Sequence, residues 1–560
     1  MSATQAPFSA PIAKDGPDAS PIRSILDTDL YKLTMQQAVL RHYPHTRVAY
    51  RFTNRAASTM KFTRTAVDRI RGHIEKLVHL KLEKDERAWL EKTCPYLRKD
   101  YLDYLEAFRF DPANQVSVDF VATDGEWGDL SLKVQGVWSD VIFYEVPLMA
   151  IVSEVYFSTV DTEWSLEGQF EQAQRKATQL TSQGIRYSEF GTRRRRSYQT
   201  HRLVLEGLVA GDAASSSSST SGKLLGTSNV HFAHLFDLVP IGTVAHEWTM
   251  AVAALEGYAH SNLTALQLWD AVYSPPDFVP NSPTHDLTIA LTDTFSTNVF
   301  WADLLDNPAG IEIAKRWRGL RQDSGDSKAF AQKALQAYRS IGVDPSTKVV
   351  IYSDGLDVER CLELAQYSKE IGIGAGFGVG TSFTNDFRKR EGEEKSKPLN
   401  IVIKLDSVEG KPVVKISDEL TKNTGDPAEV LAVKRRFGIP TSTHLSRDVV
   451  KDITLGGTSE IECVYLKDGA GVEETPPNEL RRFRNARSTS KLSSPKKVCP
   501  PSTSSEASSK LRLVSARPPL TEGVIERARI ELGETDPLEA CLALNAASGE
   551  DDAPAPNPIA

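Results

Sequence analysis

Short apolar segments recur at a regular spacing in the middle of the chain, and each ends in a small or acidic polar residue. Their ends lie roughly 27 to 31 residues apart, and helix-length amphipathic stretches separate them. The segments are residues 289–293, 319–323, 349–354 and the glycine-rich 374–381. This period is typical of successive β–α units, whose parallel strands close toward a barrel. The sequence therefore predicts an α/β barrel, and barrel enzymes place their chemistry at the carboxyl ends of the strands.

Polar residues at or just after the strand ends are expected to face one pocket, although they lie far apart in the sequence. His246 is the most informative, because residues 240–248 read as a buried strand that presents an imidazole beside the Glu247 carboxylate. A neutral imidazole can attack a phosphoryl group near pH 7, and Glu247 could fix its tautomer and stabilise the resulting cation. The alternative is a histidine that is only hydrogen-bonded at a strand end. The predicted ring comprises Thr243, His246, Asp293, Arg321, Asp323, Asp354 and Thr381.

The length and charge of the chain limit the classes of protein to which it can belong. Its 560 residues exceed what one core usually holds, so two domains with appendages are expected. A formal net charge of −8 and a pI near 5.9 argue against a broad nucleic-acid-binding surface and favour small substrates. Five scattered cysteines without CxxC or CxH spacing predict no zinc site, no disulfide framework and a reducing compartment.

The sequence lacks the signals of a membrane or secreted protein. No apolar run approaches the ~20 residues needed to cross a bilayer, and the N-terminal segment has no hydrophobic signal core. We therefore expect a cytoplasmic protein, with the nucleus as an alternative location, and neither a membrane nor a nucleic-acid partner.

The chain divides into a first domain, a barrel and two tails. Residues 1–20 are poor in large apolar side chains and are predicted to be a disordered arm. Residues 21–150 mix strand and helix patterns in an α+β domain, and residues 151–400 carry the barrel. Serine dominates residues 211–222, which predicts a flexible surface loop, and low complexity predicts a largely disordered tail over residues 481–560.

Two clusters suit phosphate or carboxylate groups. The glycine run at residues 374–380, followed by Thr381, lets backbone N–H groups approach a phosphate. It matches neither GxGxxG nor a P-loop, and the alternative is a tight turn needed for packing. Residues 321–326 place Arg321 beside two carboxylates, which could hold Mg²⁺ while the arginine forks onto a substrate carboxylate. The alternative here is a surface loop with internal ion pairs.

The basic run at residues 193–196 and the aromatic residue Tyr31 each allow two interpretations. The run, which begins with Arg193 and Arg194, could bind phosphates, whereas most charge runs are solvated faces. Tyr31 could stack on a planar ring or fill the core.

Seven short motifs are spaced along the chain. They are TDLY at 28–31, EFGTRR at 189–194, GTSN at 226–229, GTVAHEW at 242–248, LTD at 291–293, RQDSGD at 321–326 and GVGT at 378–381. Their order resembles that of the nicotinate phosphoribosyltransferase family over about residues 22–440, and residues 415–418 and 422–425 fit the same pattern. Several spaced motifs in the right order make a chance agreement improbable.

This resemblance implies an irregular α/β barrel joined to an α+β open sandwich domain, which residues 401–480 would complete. It implies that nicotinate and 5-phosphoribosyl 1-diphosphate give nicotinate mononucleotide and diphosphate in NAD biosynthesis by salvage. ATP would be a co-substrate and Mg²⁺ a cofactor. His246 matches the family's phosphohistidine, which couples synthesis to ATP hydrolysis and places the enzyme in the ATP-dependent ligase class. Members pair head to tail, so a homodimer is expected.

The resemblance also assigns roles to individual residues. Tyr31 and Thr243 would contact nicotinate, with Arg321 on its carboxylate. Arg193 and Arg194 would meet phosphate groups. The substrate site would also include Asp293, Asp323, Asp354, Gly380 and Thr381, of which Thr381 would bind the ribose phosphate. The resemblance leaves the ligands of the metal open.

Other functions compete with this interpretation. A relative of the same fold could use nicotinamide or quinolinate, and Arg321 discriminates, because an amide would leave part of its buried charge unpaired. A non-enzymatic family member, acting as a sensor or scaffold, would need no phosphorylatable histidine. An unrelated barrel enzyme such as an aldolase would need a lysine at a strand end, which the matched strands lack. Beyond Pro440 the chain departs from the family, because low-complexity sequence replaces much of the expected pattern.

Overall fold

The computed structural model describes residues 19–215, 222–274, 283–392, 394–418 and 423–441. Most of the predicted arm 1–20, the whole predicted tail 481–560 and the part of segment 401–480 beyond residue 441 lie outside these ranges. Residues 211–215 of the predicted serine-rich loop belong to the helix Tyr198–Ser215, and residues 216–221 lie outside the described ranges.

The described residues contain fifteen strands in three sheets. They are β1 (Arg47–Asn54), β2 (Phe62–Thr63), β3 (Val116–Asp124), β4 (Trp127–Val137), β5 (Arg186–Glu189), β6 (Lys223–Thr227), β7 (Val239–Pro240), β8 (Ile289–Leu291), β9 (Gly319–Gln322), β10 (Val349–Tyr352), β11 (Gly374–Val379), β12 (Phe387–Arg388), β13 (Lys395–Ser396), β14 (Ile401–Val408) and β15 (Lys411–Pro412).

Eighteen α-helices lie in the same described ranges. They are α1 (Leu30–His42), α2 (Arg64–Glu75), α3 (Lys84–Thr93), α4 (Lys99–Ala107), α5 (Pro112–Gln115), α6 (Trp138–Val141), α7 (Glu145–Thr159), α8 (Gln169–Ser182), α9 (Tyr198–Ser215), α10 (Val230–Phe236), α11 (His246–Glu256), α12 (Ser261–Tyr273), α13 (Thr297–Leu305), α14 (Pro308–Arg316), α15 (Ser327–Ser340), α16 (Val358–Ile371), α17 (Thr381–Thr384) and α18 (Pro427–Arg436). Short 3₁₀ helices span Lys76–His79, Ile142–Tyr144, Thr192–Arg194, Pro283–Leu287 and Pro345–Thr347.

An antiparallel sheet is built from both ends of the described chain. Its strand order is β15-β14-β1-β4-β2, and β3 also pairs with β4. In β1 the side chains of Val48, Tyr50 and Phe52 are buried while their neighbours are not, which is the period-two pattern of a strand with one face on the core. The post-barrel strand β14 pairs with β1 in antiparallel register, so the chain returns to its first sheet after the barrel.

The second sheet is a curled ring of seven parallel strands, in the order β7-β6-β5-β11-β10-β9-β8. Because β11 returns to pair with β5, the ring follows chain order, and among the described strands β7 and β8 do not pair. The predicted helices between strands are present as α15 and α16. The predicted fold class, an irregular α/β barrel with an additional α+β sheet domain, is confirmed. This gap in the strand pairing makes the barrel irregular.

One helical stretch, Trp138–Thr159, is long and apolar enough to cross a membrane by length and composition alone. In its most apolar window of 18 residues, 83% of the residues are buried, and its second part, α7, packs against both β14 and the 3₁₀ turn at Thr192–Arg194. It is therefore a core helix between the antiparallel sheet and the barrel. Cys94 and Cys361 are free and buried.

Candidate active site

His246 is the first residue of helix α11, which follows the short strand β7. The prediction that the strand itself runs to His246 is wrong, because β7 ends at Pro240 and a turn follows. In this turn Gly242 lies so close to the start of α1 that an added Cβ would sit 3.2 Å from the backbone nitrogen of Tyr31. Glycine at this position therefore lets the turn pack on α1 and point the imidazole into the barrel mouth.

Two carboxylates from neighbouring strand ends meet the imidazole. Nε2 of His246 lies 3.1 Å from Oδ2 of Asp323, which follows β9, and 3.7 Å from Oδ1 of Asp293, which follows β8. Nδ1 lies 3.0 Å from the hydroxyl of Thr294. The structure thus brings together three residues that the sequence placed at the mouth of the barrel.

A lysine from beyond the barrel completes this cluster. Nζ of Lys415 lies 3.0 Å from Oδ2 of Asp293, which also accepts a 2.6 Å hydrogen bond from Ser324. The lysine is held there because Ile416 pairs with Phe295 in a parallel bridge. Among the described residues, the buried Oδ1 of Asp293 has no hydrogen-bond partner. The cluster therefore keeps one carboxylate oxygen available for a ligand.

The protonation states follow from these contacts. Burial and the nearby charge of Lys415 hold the pKa of His246 below its ordinary value, although Asp293 and Asp323 act in the opposite direction. Burial alone would raise the pKa of Asp323, but Arg321 and His246 hold it well below its ordinary value. At neutral pH the imidazole is therefore neutral and the Asp323 carboxylate is ionised.

Replacing Lys415 by methionine should raise the pKa of His246. Removing the positive charge removes a cause of the lowered pKa, while Asp293 and Asp323 still favour the imidazolium. NMR titration of the labelled imidazole should find it protonated at higher pH in Lys415→Met than in the unmodified protein. Lys415→Arg keeps the charge and should leave the titration low. An unchanged titration in Lys415→Met would show that Lys415 has no influence on the imidazole.

Glu247 does not orient His246, so that prediction is wrong. Its carboxylate lies 2.6 Å from Nζ of Lys32 and accepts hydrogen bonds from Tyr50 at 2.5 Å and from the indole of Trp138 at 2.8 Å. Neighbouring residues of a helix point in different directions, and Glu247 faces the core while His246 faces the barrel mouth. Thr294 and Asp323 bond the two imidazole nitrogens instead.

Arg321 lies between the cluster of His246, Asp293 and Asp323 and a cavity. Its Nη2 donates to Oδ1 of Asp323 at 2.9 Å and its Nε to the hydroxyl of Ser353 at 2.8 Å. Ser353 in turn donates to Asp323 at 2.6 Å. Both groups fix the orientation of the guanidinium, and its other N–H groups remain available for a ligand.

The cavity has a volume of about 390 Å³ and runs along the barrel interior. Tyr31, Arg193, Thr243 and Arg321 line it near the carboxyl ends of the strands. Burial holds the pKa of the Tyr31 hydroxyl well above its ordinary value, so this hydroxyl stays protonated. Near the carboxyl ends of the strands the cavity therefore combines an aromatic ring, the guanidinium groups of Arg193 and Arg321 and neutral hydroxyls, which suits a small planar anion.

The basic run is not a solvated face. Arg195 is fully buried and pairs with Asp27 at 2.7 Å, while Arg196 is buried and donates to Asn385 at 2.7 Å. Burial lowers the pKa of Arg196 to about 10. Arg195 and Arg196 therefore connect the 3₁₀ turn at Thr192–Arg194 to Asp27 and Asn385, which are far away in the sequence.

The first two arginines of the run face different surroundings. The side chain of Arg193 is 42% exposed, lines the cavity and lies 3.3 Å from Glu145. Arg194 is not among the cavity-lining residues; it donates to the backbone carbonyls of Leu399 and Ile401 at 3.1 and 2.9 Å. Of these two arginines, it is therefore Arg193 that lines the cavity.

The glycine loop and Asp354 lie at the ends of the next strands. Gly380 precedes the short helix α17, which begins with Thr381, and an added Cβ on Gly380 would sit 3.1 Å from the carbonyl oxygen of Phe190. Asp354 follows β10 and is half-buried. The sequence did not single out Thr294 and Ser353, although each is adjacent to a residue that it did name.

The imidazole, paired carboxylates and arginines at the carboxyl mouth of this cavity place the protein in the α/β-barrel class, with a site whose chemistry suits small anions. The profile of the "Nicotinate phosphoribosyltransferase (NAPRTase) family" matches residues 185–441, and that of its N-terminal domain matches residues 26–153. The chain belongs to the nicotinate phosphoribosyltransferase family.

Individual relatives agree with this assignment. A Schizosaccharomyces pombe protein named "Probable nicotinate phosphoribosyltransferase" is 46% identical over 419 residues, which cover 74% of this chain and 98% of the relative. The Saccharomyces cerevisiae nicotinate phosphoribosyltransferase is 40% identical over 424 residues, covering 74% and 95%. The crystal structure of the Vibrio cholerae nicotinate phosphoribosyltransferase superposes with a TM-score of 0.66 at 34% identity, covering 77% of this chain and 97% of the other.

Proposed function

We propose that the protein is a nicotinate phosphoribosyltransferase. It joins nicotinate to 5-phosphoribosyl 1-diphosphate, releases nicotinate mononucleotide and diphosphate, and serves NAD biosynthesis. The observation that carries this proposal is Arg321, which reaches the cavity from the cluster of His246, Asp293 and Asp323. A guanidinium held by two partners is suited to bind a carboxylate with its remaining N–H groups.

The cavity supplies the contacts that this reaction requires. Displacement at the anomeric carbon passes through an oxocarbenium-like state, in which diphosphate carries negative charge away from the sugar. Tyr31, Thr243 and Arg193 line this cavity. In the proposed reaction Tyr31 and Thr243 would contact the pyridine ring, and Arg193 would meet phosphate oxygens. The guanidinium groups would thus bind anionic substrate groups and stabilise the leaving diphosphate.

We further propose that ATP phosphorylates His246. With Nε2 donating its proton to Asp323, the Nδ1 lone pair faces the Thr294 hydroxyl, and rotation of this hydroxyl would free the lone pair to attack the γ-phosphorus of ATP. The new N–P bond forms as the bond to the β–γ bridging oxygen breaks and ADP leaves. The position of His246 at the first residue of α11 supports this role, because a helix N-terminus favours added negative charge. The phosphohistidine would then order the substrates and drive synthesis.

The donor set fits Mg²⁺, which the family resemblance implies. His246, Asp293 and Asp323 each offer a ligand atom, and these atoms lie within 4.8 Å of one another. Mg²⁺ prefers oxygen ligands and commonly uses one or two carboxylates together with substrate phosphates. Asp293 and Asp323 are therefore the residues that would hold it, with the ion neutralising phosphate charge. Homodimer formation and a cytoplasmic location remain predictions.

A direct assay of the purified full chain distinguishes between the candidate substrates. We expect 5-phosphoribosyl 1-diphosphate, Mg²⁺ and nicotinate to give nicotinate mononucleotide, with ADP released when ATP is present. Nicotinamide and quinolinate, tested in parallel, should react much more slowly, because neither presents one carboxylate on an otherwise neutral ring. Preference for either would show that Arg321 has been misinterpreted, and absence of any reaction would favour the sensor or scaffold alternative.

A further inference from the structure

A fully buried lysine lies behind the proposed substrate site. Lys32, on α1, has a side chain that is 0% exposed, and its Nζ lies 2.6 Å from carboxylate oxygens of both Glu145 and Glu247. The two carboxylates come from α7 and α11, so one ammonium group connects three helices. Burying three charges is costly and often adds little net stability, which suggests a role other than stabilisation.

The two carboxylates differ in what else they contact. Glu247 accepts hydrogen bonds from Tyr50 and Trp138, which keep it within the core. Glu145 instead approaches the cavity: its Oε1 lies 3.3 Å from Nη1 of Arg193, and its Oε2 accepts a 3.4 Å hydrogen bond from the Tyr31 hydroxyl. Glu145 is therefore shared between Lys32 on one side and Arg193 on the other.

This sharing determines how much positive charge Arg193 presents to a ligand. The Glu145 carboxylate lies 2.6 Å from Nζ of Lys32 and 3.3 Å from Nη1 of Arg193, so Lys32 is its nearer cation and offsets part of its negative charge. A carboxylate oxygen of Asp29 lies 3.8 Å from Nε of Arg193 and also offsets part of the positive charge of this guanidinium. Without Lys32, the full charge of Glu145 would act on Arg193 and oppose an approaching phosphate.

We propose that Lys32 is a positioning residue that neutralises Glu145 and so leaves Arg193 free to bind the phosphate groups of 5-phosphoribosyl 1-diphosphate. This inference rests on the proposed function for the identity of the substrate. It requires only that the ligand at Arg193 carries phosphate. Lys32 itself need not touch substrate, and its effect is on phosphate binding.

Two double variants with the same change of net charge test the proposal. Lys32→Met/Glu247→Gln leaves Glu145 ionised beside Arg193, and the KM for 5-phosphoribosyl 1-diphosphate should rise by on the order of tenfold. Lys32→Met/Glu145→Gln removes the competing carboxylate, and this KM should stay within about twofold of the unmodified protein. The KM for nicotinate should change little in both variants. Lys32→Met alone would leave two buried carboxylates without their lysine, whereas each double variant leaves one. Both double variants are therefore expected to fold better than Lys32→Met alone.

A matched control is Lys348→Met. Lys348 is also buried, but its Nζ donates to the backbone carbonyls of Lys315 and Trp317 at the amino end of the barrel. This variant should leave the KM for 5-phosphoribosyl 1-diphosphate unchanged. Equal KM values in the two Lys32 double variants would overturn the proposal, because a purely structural lysine would not distinguish its two carboxylates.

Calorimetric titration with inorganic diphosphate separates this proposal from the proposed function. The dissociation constant should rise about tenfold in Lys32→Met/Glu247→Gln and not in Lys32→Met/Glu145→Gln. If the unmodified protein made no nucleotide but these titrations held, the proposed reaction would fail while the role of Lys32 stood. If nucleotide formed normally but diphosphate bound equally to both variants, only the role of Lys32 would fail.

Discussion

Replacing His246 by asparagine should abolish ATP-dependent ADP release together with the gain that ATP gives to nucleotide formation. Asparagine can still accept or donate hydrogen bonds beside Thr294 and Asp323, but it has no nitrogen lone pair that can form a phosphorylated intermediate. The ATP-dependent rate should fall on the order of 10³-fold or more, since the step loses its nucleophile. Measuring ADP and nicotinate mononucleotide in the same reaction checks both parts.

His260 provides a matched control. His260 lies at the N-terminus of α12, much as His246 lies at the N-terminus of α11, and its Nδ1 lies 3.1 Å from Asp303. Its side chain, however, is 65% exposed. Its backbone has a positive φ of 51°, which asparagine tolerates well. His260→Asn should therefore keep full activity. ATP that still improved nucleotide formation in His246→Asn would disprove a phosphohistidine at this position.

The barrel and the meeting of His246 with Asp293 and Asp323 were predictable for the same reason. Parallel strands of a barrel bring their carboxyl ends to one mouth, so a spacing of roughly 30 residues predicts which distant side chains converge. The error over Glu247 has the opposite cause. His246 and Glu247 are adjacent in sequence, but successive residues of a helix face different directions, so their side chains do not meet.

Other features depend on partners that no local pattern reveals. The sequence pattern of Arg195 and Arg196 is that of a solvated charge run. In the structure both side chains are buried and donate hydrogen bonds to Asp27 and Asn385, which are far away in the chain. The bridge made by Lys32 likewise joins residues more than 100 positions apart. Burial of a charge is set by tertiary packing, so a sequence that carries the charges does not show which are neutralised.

Replacing Arg321 by glutamine should remove the preference for nicotinate over nicotinamide. The guanidinium is held by Asp323 and Ser353 and reaches the cavity with its remaining N–H groups. A charge-assisted pair with the nicotinate carboxylate is worth about 2–4 kcal/mol in such a site, so the KM for nicotinate should rise roughly 10²-fold. Reaction with nicotinamide, which carries no charge, should change much less. Steady-state assays with both substrates measure the ratio.

Because Arg321 also contacts Asp323, a loss of activity could instead arise at His246, and two further variants separate these causes. Arg321→Lys keeps a positive charge beside Asp323 but loses the forked donor geometry, so it should retain ATP-dependent ADP release while binding nicotinate poorly. Arg316→Gln removes an arginine that pairs with Asp270 at 2.6 Å and is not among the residues lining the cavity, and it should keep the substrate preference. If Arg321→Gln kept its KM for nicotinate, the carboxylate would have to bind elsewhere. Among the described residues that line the cavity, Arg193 is the other guanidinium near the carboxyl ends of the strands, and it would be the next candidate.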